Sequence, residues 1–215
     1  MRIGILGTGV VGKTIGTKLT KLGHEVRIGS RSAGGEPARA WVKSAGRGST
    51  EGTFADAAAH AELVFNCTAG MVSLEALKAA GAQNLEGKTL IDVSNPLDTS
   101  KGMPPTLSVC NTDSVGEQIQ RAFPTAKVVK SLNTVTVAVM VDPSLIPGVH
   151  TMFVSGNDAK AKAQVIDLLK TGFGWKEVMD IGDITGARAQ EMILPLWLRL
   201  YTKLKTPNVN IRVAF

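Results

Sequence analysis

Three glycines at fixed spacing carry the first chemistry legible in this chain. Gly7, Gly9 and Gly12 form a G-x-G-x-x-G motif within Gly7-Thr8-Gly9-Val10-Val11-Gly12. The motif follows the apolar run Ile3-Gly4-Ile5-Leu6 and opens a helical pattern reaching Leu22. A second strand-like run, Glu25-Val26-Arg27-Ile28, comes next. In that context the glycines read as a dinucleotide-binding fingerprint. Gly7 permits the tight turn out of the strand. Gly9 has no Cβ to hold a pyrophosphate away from the backbone. Gly12, with Gly16 one turn on, lets the helix pack closely on the strand. N–H groups at the helix start then face the phosphates, where the helix dipole favours negative charge. A glycine-rich turn without a ligand is the bland alternative, and the strand–turn–helix–strand context argues against it.

The end of the second strand selects the dinucleotide. An NAD site places an acidic residue there to bind the ribose 2′-hydroxyl. This strand ends Ile28-Gly29-Ser30-Arg31, and Glu25 stands at the wrong end. Ser30 and Arg31 offer a hydroxyl and a guanidinium, which suit a 2′-phosphate. Arg39 could add charge from the following helix. The expectation is NADP(H), against the alternative that Arg31 is a solvated loop residue.

Strand and helix patterns alternate behind these residues, which implies an α/β, doubly wound (Rossmann) parallel sheet. Strands are expected at residues 63–67, 88–93 and 127–131, with a further βαβ unit through residues 152–154 and 176–180 extending the same sheet. Helices are expected at 37–45, 53–59 (capped by Thr53), 72–80, 114–123 and 157–169. Residues 99–111 read as an irregular loop, 134–141 as an apolar run of ambiguous type, and 208–213 as a short terminal strand. Asp183 is expected to cap a final helix kinked at Pro195, with Ile193, Leu196, Trp197, Leu200 and Leu204 on one apolar face. The chain thus divides into a nucleotide-binding domain, residues 1–182, and a small helical C-terminal cap, residues 183–215.

Ligands of open α/β sheets bind outside the strands' carboxyl ends. That rule nominates four loops, at residues 7–12, 68–70, 94–97 and 132–136. Asn95, Asn133 and Thr134 are the polar groups best placed to meet a nicotinamide or its substrate, unless they only cap turns. Alcohol dehydrogenation would also need a general acid/base near the carbonyl oxygen. Lys130 reads as a solvated strand-end lysine, His150 lies in a separate segment, and Tyr201 sits in the last helix. No candidate stands out. That favours hydride transfer between two bound rings, where positioning matters more than proton chemistry.

Composition narrows the classes further. The formal charge is +6, but Lys and Arg are scattered and aromatics are only 5%, unlike a nucleic-acid groove. The three histidines and two cysteines show no metal-ligand spacing. No apolar run approaches the ~18 residues of a membrane span. With its first strand beginning at Ile3, the chain leaves no room for a signal peptide, so a cytoplasmic location is expected.

Taken together, these motifs resemble the NADPH-dependent coenzyme F-420 reductases (F-420:NADP oxidoreductases). The resemblance runs along nearly the whole chain. It is carried by the glycine motif with Gly23-His24-Glu25 and Gly29-Ser30-Arg31, and by Ser94-Asn95-Pro96-Leu97, Leu132-Asn133-Thr134-Val135 and Gly156-Asn157-Asp158. Gly182-Asp183, Ala187-Arg188 and Pro195-Leu196 add to it. It implies that Thr8, Gly9, Val10 and Val11 hold the pyrophosphate, and Ser30 with Arg31 the 2′-phosphate. Thr68, Val72, Leu97 and Val137 would line the rest of the cofactor, with Ala69, Asn95, Pro96 and Asn133 in the same loops. It further implies a cytoplasmic homodimer passing hydride between NADP(H) and a deazaflavin, coenzyme F-420, beside the C-terminal segment. The reductase domain of membrane metalloreductases, which uses flavin, is similar too. Archaeal members carry His at the position of Asn133 and a Lys soon after the Ser-Arg pair, where Ser32-Ala33-Gly34-Gly35 has none. A flavin or small electron acceptor, a reductase of small carbonyls or imines, and a non-catalytic NADPH sensor stand as alternatives. Arg31→Ala should weaken NADPH binding roughly 10- to 150-fold, one charge-assisted hydrogen bond, while sparing NADH. Fluorescence titration of both cofactors measures this, and tighter NADH binding to the unaltered protein would refute the NADP assignment.

Overall fold

The computed structural model describes residues 1–214. The chain alternates through β1 (Arg2–Leu6), α1 (Val10–Lys21), β2 (Glu25–Ser30), α2 (Glu36–Ala45), β3 (Ser49–Thr53), α3 (Phe54–His60), β4 (Leu63–Asn66), α4 (Gly70–Ala80), α5 (Ala82–Leu85) and β5 (Thr89–Asp92). A two-stranded ribbon follows, β6 (Leu97–Asp98) with β7 (Thr106–Leu107), then α6 (Val115–Ala122), β8 (Lys127–Ser131) and α7 (Val137–Val141). The last elements are β9 (Thr151–Gly156), α8 (Ala159–Asp167), β10 (Glu177–Asp180), α9 (Ala187–Met192) and α10 (Leu194–Leu204). Eight strands form one sheet in the order β10-β9-β8-β5-β4-β1-β2-β3.

Both faces of the sheet are covered, which is why its central strands read as continuous apolar runs. Ile3 and Ile5 pack with Ile15, Leu19 and Trp41 on one face, while Leu6, Val64 and Val128 pack with Leu77 and Ile119 on the other. Glycine sets how close α1 comes: a Cβ on Gly12 would lie 2.1 Å from the Gly7 carbonyl oxygen, and one on Gly16 would lie 2.8 Å from the Trp41 ring. The Trp41 indole N–H donates to the Lys13 carbonyl oxygen at 3.1 Å, fixing α2 against α1.

Several expectations need correction. The βα unit made by β9, α8 and β10 extends the sheet and is parallel within itself, but β9 pairs antiparallel with β8, so the unit runs opposite to the other six strands. A parallel neighbour needs a crossover back to the opposite edge. The connection through α7 and the turn Pro143–Leu145 instead begins and ends at the carboxyl edge. β3 was not anticipated, because Ser49-Thr50-Glu51-Gly52-Thr53 has no apolar alternation; it forms as the sheet's edge strand beside β2. The loop expected at residues 99–111 contributes β7.

At the C-terminus the expected kinked helix is two helices meeting at Ile193, with Pro195 in the first turn of α10, where a missing N–H costs nothing. Asp183 caps the short turn Ile184–Gly186 ahead of α9 rather than the helix itself. Residues 208–213 form no strand. They are held by the Thr151 N–H donating to the Ile211 carbonyl and by the Asn210 side-chain amide donating to the Thr151 carbonyl.

Candidate functional site

The chain leaves β1 toward β2 and β3, and leaves β4 toward β5 and β8, so the sheet's order reverses between β1 and β4. In open α/β sheets ligands bind at such a switch point, outside the carboxyl ends. Gly7 turns the chain at φ 119°, and a Cβ on it would come within 2.8 Å of the Cys67 carbonyl oxygen. The loops after β1 and β4 are thereby brought together. The helices that follow, α1 and α4, have no side-chain cap and no acid in the first turn. By contrast α3, α6 and α8 are capped by Thr53, Ser114 and Asp158. Nothing lies within 4 Å of the space above Gly9, and Val10 and Val72 are more than half exposed. Two open helix N-termini flanking one crevice suit a polyanion.

Loops two and three of the four are interlocked. A Cβ on Gly70 would strike the Asn95 carbonyl oxygen at 2.3 Å, so only glycine lets Asn95 and Pro96 approach the start of α4. The fourth loop begins at Leu132, a buried residue at φ 66°, a conformation that β-carbon residues avoid. It presents Asn133, whose Nδ2 donates to Asn95 Oδ1 at 2.9 Å and to the Gln190 carbonyl at 2.8 Å. Asn95 Nδ2 returns a bond to the Asn133 carbonyl at 2.9 Å. These three contacts fix which end of the Asn133 amide is which. Its Oδ1 is left buried without a partner, as are the hydroxyls of Thr134 and Thr136. An unmet buried polar group costs roughly 1–3 kcal/mol, and these three fall in one loop at the carboxyl edge.

The sequence readings of the remaining residues divide. Ser30 ends β2 as expected, and its hydroxyl donates to the Ser32 carbonyl at 2.7 Å; Arg31 is exposed beside it. Thr68 turns inward, its hydroxyl donating to Asn66 Oδ1 at 2.6 Å. Ala69 is exposed and Leu97 opens the small ribbon; Val11 and Val137 both pack on the core that includes Ile15. Arg39 pairs only with Glu36, at 3.8 Å on an open helix surface, a contact of little energetic weight.

Lys130 corrects the sequence reading outright. It is fully buried, with its ammonium 2.7 Å from Asp92 Oδ2, 2.8 Å from Glu191 Oε1 and 2.6 Å from the Ser94 carbonyl. Glu191 also accepts the N–H groups of Val115 and Gly116 at the start of α6, at 2.9 and 3.1 Å. Asp92 Oδ1 accepts from Asn66 Nδ2 and Ser94 Oγ, each at 2.8 Å. Burial pulls the Lys130 pKa down, but the two carboxylates outweigh it and leave it above the ordinary lysine range. The charge-linked stability is therefore whole at neutral pH and is lost only as pH rises through that elevated value. Sequence reasoning missed Asn66, Asp92, Gln190 and Glu191 as well; a carboxylate and an amide ending two apolar strand runs were the available signal.

Lys130 is therefore not available as a free acid or base. All three Lys130 N–H groups are engaged. His150 is buried, one ring nitrogen against the Pro143 carbonyl at 3.0 Å and the other against Asn210 Nδ2 at 2.8 Å. Tyr201 stacks on Trp197 in α10, ring centroids 5.6 Å apart. Burial, reinforced by Asp92, pushes the Cys67 thiol up, so it stays protonated. Lys130→Ala strands two buried carboxylates and should destabilise the fold by about 3–5 kcal/mol, read as a lowered urea midpoint; a change under about 1 kcal/mol would mean the cluster is solvated.

Residues 2–96 match the family model described as NADP oxidoreductase, coenzyme F-420-dependent. The F-420-dependent NADP reductase of Methanocaldococcus jannaschii is 34% identical over 61% of this chain and 59% of its own length. That of Methanothermobacter marburgensis is 27% identical, with 100% of this chain and 98% of the relative covered. The chain spans only 38% of the metalloreductase of Rattus norvegicus, at 28% identity. A crystal structure from Arthrobacter sp. FB24, assigned as an F-420-dependent NADP reductase, superposes with a TM-score of 0.95 at 53% identity, covering all of both chains. A reductive aminase of Aspergillus terreus, solved with NADPH, shares the fold at 19% identity and a TM-score of 0.66, over 95% of this chain and 62% of its own. The chain belongs to the F-420-dependent NADP reductase family.

Proposed function

We propose that this protein transfers hydride between NADP(H) and a deazaflavin of the coenzyme F-420 type, or a flavin-like acceptor. The observation that carries this reading is the fully engaged state of Lys130 at the carboxyl edge, followed in the chain by a loop with three unmet hydrogen-bonding groups. Such a site orients ligands and offers them no strong acid or base. The activity named for the family relatives supports the same chemistry. NADPH would supply the hydride. The residues would act by holding and orienting. Gly7, Thr8, Gly9, Val10, Val11 and Gly12 hold the pyrophosphate at the start of α1, and Ser30 with Arg31 receives the 2′-phosphate. Thr68, Ala69, Val72, Asn95, Pro96, Leu97 and Val137 shape the path between. Asn133 and Thr134 orient the reacting rings, and the interlocked loops exclude water.

A second reading, reduction of small carbonyls or imines, is favoured only by the unpartnered Thr134 and Thr136 hydroxyls, which could donate to a carbonyl oxygen. In a third, the chain senses NADPH without turnover. Residues 183–215 serve as the cap over the acceptor, and the protein works in the cytoplasm without nucleic-acid partners. No described helix is long and apolar enough to cross a membrane.

The cap also carries a two-fold interface. Met192, Leu196, Tyr201 and Leu204 are all at least 41% exposed on α9 and α10, an apolar face that would favour aggregation if left bare. Sedimentation at micromolar concentration should give a dimer, and a monomer would exclude this interface. For the chemistry, single-turnover rates with NADPH and a panel of F-420, flavin, ketone and imine acceptors decide among the readings. Deazaflavin or flavin should turn over and small carbonyls should not; binding without any turnover would favour the sensor. Asn133→Ala should slow transfer about 10- to 100-fold, one or two hydrogen bonds, and His150→Ala or Tyr201→Ala less. A loss of about four orders of magnitude at His150 or Tyr201, far above the usual range for one hydrogen bond, would establish an acid/base and the carbonyl reading.

A further inference from the structure

Beside the loop proposed for the 2′-phosphate lies an acid, Glu51, that makes no ligand contact in that proposal. Glu51 sits in the middle of the edge strand β3, opposite Ile28 in the register and two residues short of the strand's carboxyl end. Its carboxylate accepts the Gly34 backbone N–H with both oxygens, at 3.1 and 3.0 Å. Gly34 is in the left-handed region, φ 77°, and the next residue, Gly35, is the N-cap of α2. The loop from Arg31 to Gly35 therefore has two internal fastenings: Ser30 Oγ to the Ser32 carbonyl at 2.7 Å, and Gly34 to Glu51. Arg31, Ser32 and Ala33 lie between these fastenings and are exposed.

An unoccupied carboxylate near a phosphate site would repel its ligand, and an acid at the end of β2 is what an NAD site uses. Glu51 is neither. Its charge is directed at a backbone N–H, a charge-assisted hydrogen bond of the stronger kind. The bond holds a glycine-rich turn that has no lysine of its own and few other restraints. We propose that Glu51 is a positioning residue for NADPH selectivity: it fastens Gly34 so that Ser30, Arg31 and Ser32 keep the shape that receives the 2′-phosphate. The proposal rests on the NADP(H) reading above. Because NADH carries only a hydroxyl where NADPH carries the 2′-phosphate, the fastening should matter for one cofactor and little for the other.

Two substitutions separate reach from charge. Glu51→Asp keeps the charge but shortens the side chain by one methylene, so it no longer reaches Gly34. Glu51→Gln removes the charge but keeps an acceptor at the same reach. Glu51 is partly exposed on an edge strand, and thermal melts would check that both variants remain folded. Calorimetric titration with NADPH and with NADH should show Glu51→Asp weakening NADPH about 10-fold, with NADH unchanged. Glu51→Gln should leave the NADPH-to-NADH preference within about threefold of the unaltered protein. The opposite pattern, in which Gln tightens NADPH and Asp is silent, would make Glu51 a repelling charge and overturn the proposal. Equal weakening of both cofactors would reduce it to a fold contact, and two silent variants would remove it from selectivity altogether. A preference of the unaltered protein for NADH would overturn the NADP(H) reading itself, a distinct result.

Discussion

A fully buried ammonium cannot persist without carboxylates to meet it, and the carboxyl edge of this sheet is organised by that demand. Removing a lysine from water costs several kcal/mol even after relaxation, and the cost is recovered only where geometry is good and every N–H finds an acceptor. Lys130 finds Asp92 from the neighbouring strand β5, Glu191 from α9 and the Ser94 carbonyl from the loop between. Each partner is itself bound elsewhere: Asp92 to Asn66 at the end of β4, and Glu191 to the first N–H groups of α6. One charge thus fixes two strand ends, the loop after β5 and the C-terminal helices in a single arrangement. Gln190, next to Glu191, adds bonds to the Lys130 and Phe153 carbonyls and accepts from the Ser155 hydroxyl. These polar groups hold the cap to the sheet together with the buried apolar residues Ile184 and Ala187.

That satisfied network explains why the unsatisfied atoms carry meaning. In the layer around Lys130 every named donor and acceptor has a partner. In the loop that follows β8, Asn133 Oδ1, Thr134 Oγ1 and Thr136 Oγ1 have none. The Asn95–Asn133 clamp cannot relax to satisfy them, because its bonds run in both directions and its third contact is the backbone of Gln190. Fixed, unmet groups need no reorganisation when a ligand arrives, which is the property that makes preorganised sites effective.

The parts legible in the sequence are those governed by local rules. The spacing of the glycine motif lies within six residues, and Gly7, Gly12 and Gly16 stand where backbone or ring approach forbids a side chain. Thr53, Ser114 and Asp158 cap the helices that begin beside them. Lys130 was misread because nothing in Lys127-Val128-Val129-Lys130-Ser131 announces that Asp92 and Glu191 will arrive from distant elements. β3 was missed for a related reason: an edge strand of polar residues is specified by its neighbour β2 and not by its own pattern. The inversion of β9 was invisible too, since strand direction depends on where the preceding connection ends.

The two ends of the candidate crevice therefore differ in mechanical character. The end proposed for the 2′-phosphate hangs from an edge strand and a glycine-rich turn, through a few hydrogen bonds at partly exposed residues. The ring end is built on buried charge, a left-handed Leu132 and interlocked amides. Local opening is easiest where buried contacts are few and backbone bonds face solvent. Motion therefore costs less around Ser30 and Gly34 than around Lys130, whose ammonium has three buried partners. Hydride transfer depends on separation between two rings, and a small displacement costs rate steeply. A fold that puts its compliance at the recognition end and its buried charge at the reacting end separates cofactor choice from the geometry of transfer.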